Sequence, residues 1–390
     1  MIGLLLSSKI NDIAPSGTLQ MLDNAKRLER EGFEVTHLEV GDPDLKTPEE
    51  IINVAIEAMR QGFTHYTSSR GIYELREAIV EKKGGNLKSF LDPNKHVIVT
   101  PGAKFALFAA LSAVINPGDK VLILTPSWVS YKAMIIANFG VPYEFDIDNH
   151  SFDDLEEFVK EIKPRAIIFN SPNNPTGRIL TYQEINRLVD MALTEDIFLI
   201  SDEIYDGIVF SDNFVSLSSF KDAFDYSVII NGFSKTYAMT GWRIGYAISN
   251  EEIINAMVKV QQYTSTCPVS FVQKAAAFAL SDKRVGQKVE KMRLLYKERR
   301  DIFVKLLKEV PHIDFKFPEG TFYIFPNISY FINDDSNFAL RFLKTKHVCV
   351  TPGNIFGTGG RGHIRFSLTV NKEKLVDSFN KFLQFITEDI

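Results

Sequence analysis

The chain has 390 residues, 45% hydrophobic and 24% charged, with a net charge of −5 at pH 7. That is enough apolar material for one large domain and a smaller one, and the acidic balance argues against a nucleic-acid partner. Two cysteines, Cys267 and Cys349, are too few and too far apart for a disulfide framework or a zinc site, which fits a reducing, cytoplasmic setting. No stretch has the length of a membrane span, and the start MIGLLLSSK lacks the basic residues of a signal peptide. The histidines show no ligand spacing such as HExxH, so no metal is expected. The 31 phenylalanines read as core filling.

Along the chain, Met21–Arg30 is amphipathic, and THLEVGDPD follows as a strand entering a turn. Thr47-Pro48-Glu49-Glu50 predicts a helix start, with Thr47 as the cap and Glu50 closing a capping box. HVIVT predicts a short strand, and PGAKFALFAALSAVI an apolar helix opened by Pro101 and Gly102. KVLILT, AIIFN and IFLISDEIY read as buried strands, with a helix over Asp153–Ile162 capped by Ser151. Strands alternate with helical patterns from about 95 to 250, which predicts a largely parallel sheet with helices on both faces. A charged helix, Val285–Leu307, then leads to an α+β tail expected to pack with the N-terminal segment. Gly357–Gly362 (GTGGRG) matches a dinucleotide pattern, but a strand-like HIRFSL follows where a helix is needed, so that reading is discarded.

The chemistry centres on NGFSKTYAMTGWRIG. It follows the strand-like YSVIIN and places Lys235 where a strand ends. A lysine in surroundings that favour the neutral amine can be a Schiff-base nucleophile, and Ser234 and Arg243 can hold a phosphate. That pairing suits pyridoxal phosphate (PLP). Other strand-end pieces converge on the same chemistry. Backbone N–H groups of Gly102, Ala103 and Lys104 open a helix and can bind an anion. Asp202 can pair with a protonated pyridine nitrogen, and Asn174 and Tyr205 can reach the phenolic oxygen. Trp128 can stack on a flat ring, and Arg365 can grip a carboxylate. Each piece alone has an ordinary alternative: a helix start, a solvated turn, a core tryptophan, an internal ion pair. Their order and strand-end placement carry the reading.

NSPNNPTG, SDEIY, NGFSKTYAMTGWRIGY and the HIRFS arginine, in that order, resemble the class I/II aminotransferases of fold type I over nearly the whole chain. The VTPGAKFALF and PSWVSY segments are most similar to the bacterial and archaeal aspartate aminotransferase subgroup. The resemblance implies an α/β large domain, with a mostly parallel seven-stranded sheet flanked by helices, plus a smaller α+β domain. The expected division is an N-terminal arm over 1–45, a PLP-binding domain over 46–285 and a C-terminal domain over 286–390. It implies that Lys235 holds the cofactor and moves the substrate α-proton, aided by Asp202 and Tyr205. Arg365 would bind the α-carboxylate with Asn174 and the Gly41 backbone. Tyr66 would reach the phosphate of a neighbouring subunit, making the active unit a homodimer with shared sites. Lys104, Ser16 and Thr18 match the aspartate-specific members, which implies L-aspartate and 2-oxoglutarate as substrates. One departure is Gly232, where the animal and enteric aspartate enzymes carry a phosphate-binding serine. An aromatic or alanine-type aminotransferase, or a PLP C–S lyase, remains as an alternative. A PLP-sensing regulator does not fit, because no basic DNA-binding module is left over.

Overall fold

The computed structural model describes residues 7–332 and 334–388. The apolar start at 1–6, which bears on the signal-peptide reading, lies outside the described residues. The N-terminal strand β1 is Thr36–His37. The next seven are β2 (Val97–Thr100), β3 (Lys120–Thr125), β4 (Val141–Asp146), β5 (Ala166–Asn170), β6 (Phe198–Asp202), β7 (Ser227–Gly232) and β8 (Gly245–Ser249). Four short ones follow: β9 (Tyr323–Ile324), β10 (Val348–Cys349), β11 (Thr351–Pro352) and β12 (Ile364–Ser367).

Strands β2 to β8 form one sheet in the order β2-β8-β7-β6-β5-β3-β4, parallel except where β8 runs against β2 and β7. Successive residues of these strands serve opposite faces. Ile98, Ile123, Ile168, Ile200 and Ile230 join one apolar cluster, while Val99, Leu122, Ile167, Leu199 and Ile229 join another. Burial on both faces explains why the strands read as continuous apolar runs. Helices cover each face. Ala103–Val114 is apolar nearly all round because it lies between the sheet and the helix Glu251–Gln262. Phe152–Ile162 and Tyr182–Glu195 begin in capping boxes built by Ser151 with Asp154 and by Thr181 with Glu184.

The C-terminal part is α+β. Strands β11, β12 and β9 form an antiparallel sheet, and β1 pairs in parallel with β10, so the N-terminal segment packs there as expected. Much of the phenylalanine content is core here: Phe303, Phe338, Phe342, Phe366, Phe379, Phe382 and Phe385 pack together in tilted and edge-to-face ring contacts. Arg299, on the long helix Lys283–Leu307, donates two 2.8 Å bonds to Asp44 and ties this part to the chain entering the large sheet.

Two local expectations fail. Only Thr36 and His37 of THLEVGDPD form a strand. Beyond them the carbonyls of Glu39 and Gly41 accept from Arg365 and Lys235 instead of a neighbouring strand. Thr47 does not cap the helix Glu49–Arg60. Its hydroxyl donates to the Ala238 carbonyl (2.6 Å) and accepts from Trp242 Nε1 (3.2 Å), while Glu50 pairs with Lys288. Long-range partners outbid the local cap. The GTGGRG stretch forms short turns before β12, with no helix after it.

Candidate active site

The site is assembled at the carboxyl ends of β5, β6 and β7, where parallel strands turn into loops. Asp202 ends β6 and is buried. It accepts from the Tyr131 hydroxyl (2.6 Å) and the Ile204 N–H (3.2 Å). Burial pushes its carboxyl up to about 6, against the pull of the Tyr131 bond. Tyr205 follows on the next turn, buried, with its hydroxyl 2.9 Å from that of Tyr323. Asn170 ends β5. Its amide donates to the Asp202 carbonyl (2.7 Å) and its oxygen accepts from the Asn174 N–H (2.8 Å). That bond folds the SPNNPTG loop back, so that Asn174 Oδ1 accepts from Arg365 Nη1 at 2.8 Å.

Lys235 lies three residues beyond β7, and its ammonium donates to the Gly41 carbonyl. Burial pushes it down to about 8, opposed by Asp42 and reinforced by Arg365, Arg243 and Lys104. Arg243, in the left-handed region (φ 55°), donates to the Thr240 carbonyl (2.9 Å). Gly102 has φ +89°, and a Cβ there would lie 2.6 Å from Arg243 Nη2. Glycine thus lets the start of the Ala103–Val114 helix come against the guanidinium, joining its first N–H groups to a cation. The Gly102 N–H, expected to be free, donates instead to the Thr100 carbonyl (2.7 Å), which leaves Ala103 and Lys104 as the anion donors. Gly232 is likewise close-packed: a Cβ would sit 3.0 Å from Gly245 Cα and from the Ile244 carbonyl. A serine there would displace backbone.

Arg365, on β12, is 3% exposed. Its guanidinium carbon lies 4.3 Å from the Tyr323 ring centre and 5.0 Å from that of Phe356. It donates to Asn174, to the Glu39 carbonyl and, at 3.4 Å, to Thr351. Its Nε is buried without a partner, and among the described residues no carboxylate pairs with it.

These groups line one cavity of about 440 Å³. Of the residues singled out in the sequence, Ser16, Thr18, Gly41, Ala103, Lys104, Trp128, Asn174, Asp202, Tyr205, Ser234, Lys235, Arg243 and Arg365 line it. Gly102 sits just behind, against Arg243. Tyr66 is not brought in; it is 85% exposed on the surface of its own chain. Sequence reading missed Tyr323, which lines the cavity, and Tyr131, which donates to Asp202 from beneath. Both lie in aromatic runs, GTFYIF and PSWVSY, with no polar pattern to mark them.

The chain belongs to the aminotransferase class I and II family, whose model matches residues 34–379. It is 38% identical to an aspartate aminotransferase of Pyrococcus abyssi over 99% of both chains. It is 37% identical to an aromatic-amino-acid aminotransferase of Thermococcus litoralis, again over 99% of both. The crystal structure of an aspartate aminotransferase from Thermotoga maritima superposes with a TM-score of 0.91 at 36% identity, covering 98% of this chain and 100% of that one. The protein is a fold type I aminotransferase and depends on PLP. No helix among the described residues is long and apolar enough to cross a membrane.

The residues present fit that cofactor. At one end of the cavity is an anion cradle that a Cβ on Gly102 would fill. The cavity also holds a buried carboxylate, Asp202, with no ion pair among the described residues, and an amine, Lys235, held near 8.

Proposed function

We propose that this aminotransferase moves the amino group of L-aspartate to 2-oxoglutarate, with the residues above in the following roles. The observation that carries the transfer chemistry, for any amino acid, is the buried Arg365 guanidinium, which lines the cavity with one N–H unpaired and no carboxylate partner among the described residues; the choice of aspartate rests on Lys104. A buried charge without a partner is costly, and a substrate α-carboxylate supplies the missing anion.

PLP, when bound, supplies the electron sink that lets the hydrogen on the substrate α-carbon leave as a proton. Ser234, Arg243 and the N–H groups of Ala103 and Lys104 would hold its phosphate, Trp128 would cover the ring and Asp202 would keep the ring nitrogen protonated. Tyr205 and Asn174 donate to the phenolic oxygen. Lys235 binds the cofactor covalently. Because burial brings its ammonium to about 8, a usable fraction is neutral near pH 7, and the amine can take the α-proton and return it.

The side-chain carboxylate of a dicarboxylic substrate needs a second cation. Lys104 Nζ stands 4.8 Å over the Trp128 ring, beside the cavity, with no ion pair among the described residues. Ser16 and Thr18 add hydroxyl donors from the N-terminal segment. No phenylalanine lines the cavity, so the high Phe content gives no support to an aromatic substrate. A second reading does have an observation behind it: Leu19, Leu107, Val129 and Trp128 form an apolar side suited to an aromatic amino acid. Identities of 38% and 37% to relatives of the two specificities do not separate them. The deciding measurement is kcat/KM for aspartate, glutamate, phenylalanine and alanine in wild type and Lys104→Ala. The variant is expected to lose about 2–4 kcal/mol on the two acids and little on the others. Equal losses on all four would remove Lys104 from substrate recognition.

The same reading makes the enzyme a cytoplasmic homodimer, with residues 46–285 carrying the cofactor and 286–390 the carboxylate clamp. Tyr66, exposed and outside its own cavity, would complete the cavity of a second copy. Mixing Lys235→Ala chains with Tyr66→Leu chains is then expected to restore activity, because each hybrid dimer holds one site free of both lesions. Hybrids that form without regaining activity would rule out sharing.

A further inference from the structure

We propose that Tyr323 is a positioning residue that joins the two ends of the site: its hydroxyl donates to Tyr205 and its ring carries the Arg365 guanidinium. The proposal rests on the roles given above to Tyr205 and Arg365, and adds a side chain that neither the motifs nor those roles include.

Tyr323 lies on β9, buried to 1% exposure, next to the fully buried Phe322. A phenylalanine would fill the same core volume without burying a hydroxyl, and a hydroxyl taken from water needs a partner to offset the cost. The partner here is Tyr205, at 2.9 Å. Each phenol has one hydrogen to give. If Tyr205 gives its own to the phenolic oxygen of the cofactor, the bond between the two tyrosines is donated by Tyr323. The electrostatics agree with that direction. Burial raises both phenols and Arg365 pulls both back, but Tyr205 stays the further raised, which leaves Tyr323 the better donor of the two. A donated bond polarises the Tyr205 hydroxyl and strengthens what it in turn donates.

The ring does separate work. Its face lies 4.3 Å from the Arg365 guanidinium carbon and that of Phe356 5.0 Å, and among the described residues no carboxylate pairs with this cation. The hydroxyl end also sets the backbone opposite. It occupies the space that a Cβ on Gly41 would need, and the Gly41 carbonyl is the acceptor for Lys235. One side chain thus touches the cofactor donor, the carboxylate clamp and the N-terminal segment that receives the lysine.

The test uses purified holoenzyme and two readouts that do not involve turnover. The first is the pH midpoint of the bound cofactor's absorbance in wild type, Tyr323→Phe, Tyr205→Phe and the double variant. A hydrogen bond donated to the phenolic oxygen favours its anion, so weakening that bond raises the midpoint. Tyr323→Phe is expected to raise it on the order of half a pH unit, Tyr205→Phe to raise it further, and the double variant to match Tyr205→Phe. The second is the Kd for succinate, a dicarboxylate that cannot react, followed by the same absorbance. Tyr323→Phe keeps the ring and is expected to leave Kd within about twofold, whereas Tyr323→Leu is expected to weaken it roughly tenfold. A wild-type midpoint in Tyr323→Phe, with a raised one in Tyr205→Phe, overturns the proposal alone. A wild-type midpoint in Tyr205→Phe overturns the placing of Tyr205, and the proposal with it. Unchanged succinate binding in Tyr323→Leu overturns the ring's part.

Discussion

The two walls of the cavity are built on different principles. The wall at the ends of β5 and β6 is satisfied from within. Asn170 spends its amide on the Asp202 carbonyl and its oxygen on the Asn174 N–H, and both Asp202 oxygens accept from the scaffold. The facing wall, from the N-terminal segment and β12, is left incomplete. Arg365 Nε is buried without a partner, and the Glu39 carbonyl stands where the guanidinium would take a carboxylate. The first wall is rigid before any ligand arrives; the second is complementary to an anion that the protein does not supply. Preorganisation and unmet charge are thus divided between two parts of one site.

Lys235 spans the divide, since it springs from the first wall and donates to Gly41 on the second. Lys235→Ala should therefore have the largest effect, because the covalent partner and the proton carrier are one residue. Turnover is expected to fall by at least about 10⁴-fold, read in single-turnover absorbance with amino acid, while PLP still binds noncovalently. Near-normal turnover would remove the lysine from both roles.

Arg365→Ala sharpens the contrast, because it removes the unmet charge and takes from the first wall only the bond to Asn174 Oδ1. The expected loss in kcat/KM is on the order of 3–5 kcal/mol, and the same for every amino acid, since all share the α-carboxylate. A loss confined to acidic substrates would show that Arg365 reads the side chain and that another group holds the α-carboxylate.

The contrast also explains what could be read without coordinates. Asp202 and Asn170 close runs of buried β-strand, and Lys235 follows one, so strand periodicity alone places them at one end of a parallel sheet. The Ser151 cap was equally plain, because its partners lie within one turn. The second wall depends on contacts distant in sequence. Tyr323 sits on a two-residue strand whose register comes from Phe366 and Ser367, and no local pattern fixes that pairing. Thr47 had the sequence of a cap, yet Ala238 and Trp242, far along the chain, took its hydroxyl. Arg365 stands out because a cation within a strand of apolar neighbours demands a partner, although the sequence does not reveal that among the described residues its partners are all neutral oxygens.

The smallest expected effect concerns how the incomplete wall is held. Glu39, whose carbonyl accepts from Arg365, has a fully buried carboxylate, and one of its oxygens is 2.8 Å from His37 Nδ1. The hydrogen bond to Glu39 raises the His37 imidazole from 6.5 to about 9, with Glu29 adding to it on the exposed side. A histidine whose pKa is raised on folding contributes stability that is fully present below its unfolded pKa and is lost as pH climbs through the folded one. The pair should thus support the wall at pH 6 and fade between about pH 7 and 9. With the His37 side chain 31% exposed, solvent screening reduces the contribution to about 1–2 kcal/mol. His37→Gln is therefore expected to melt a few degrees below wild type at pH 6, and the two curves are expected to converge above about pH 9. A constant gap across that range would mean that His37 acts by packing. The charge would then have no part in holding the segment that carries Glu39.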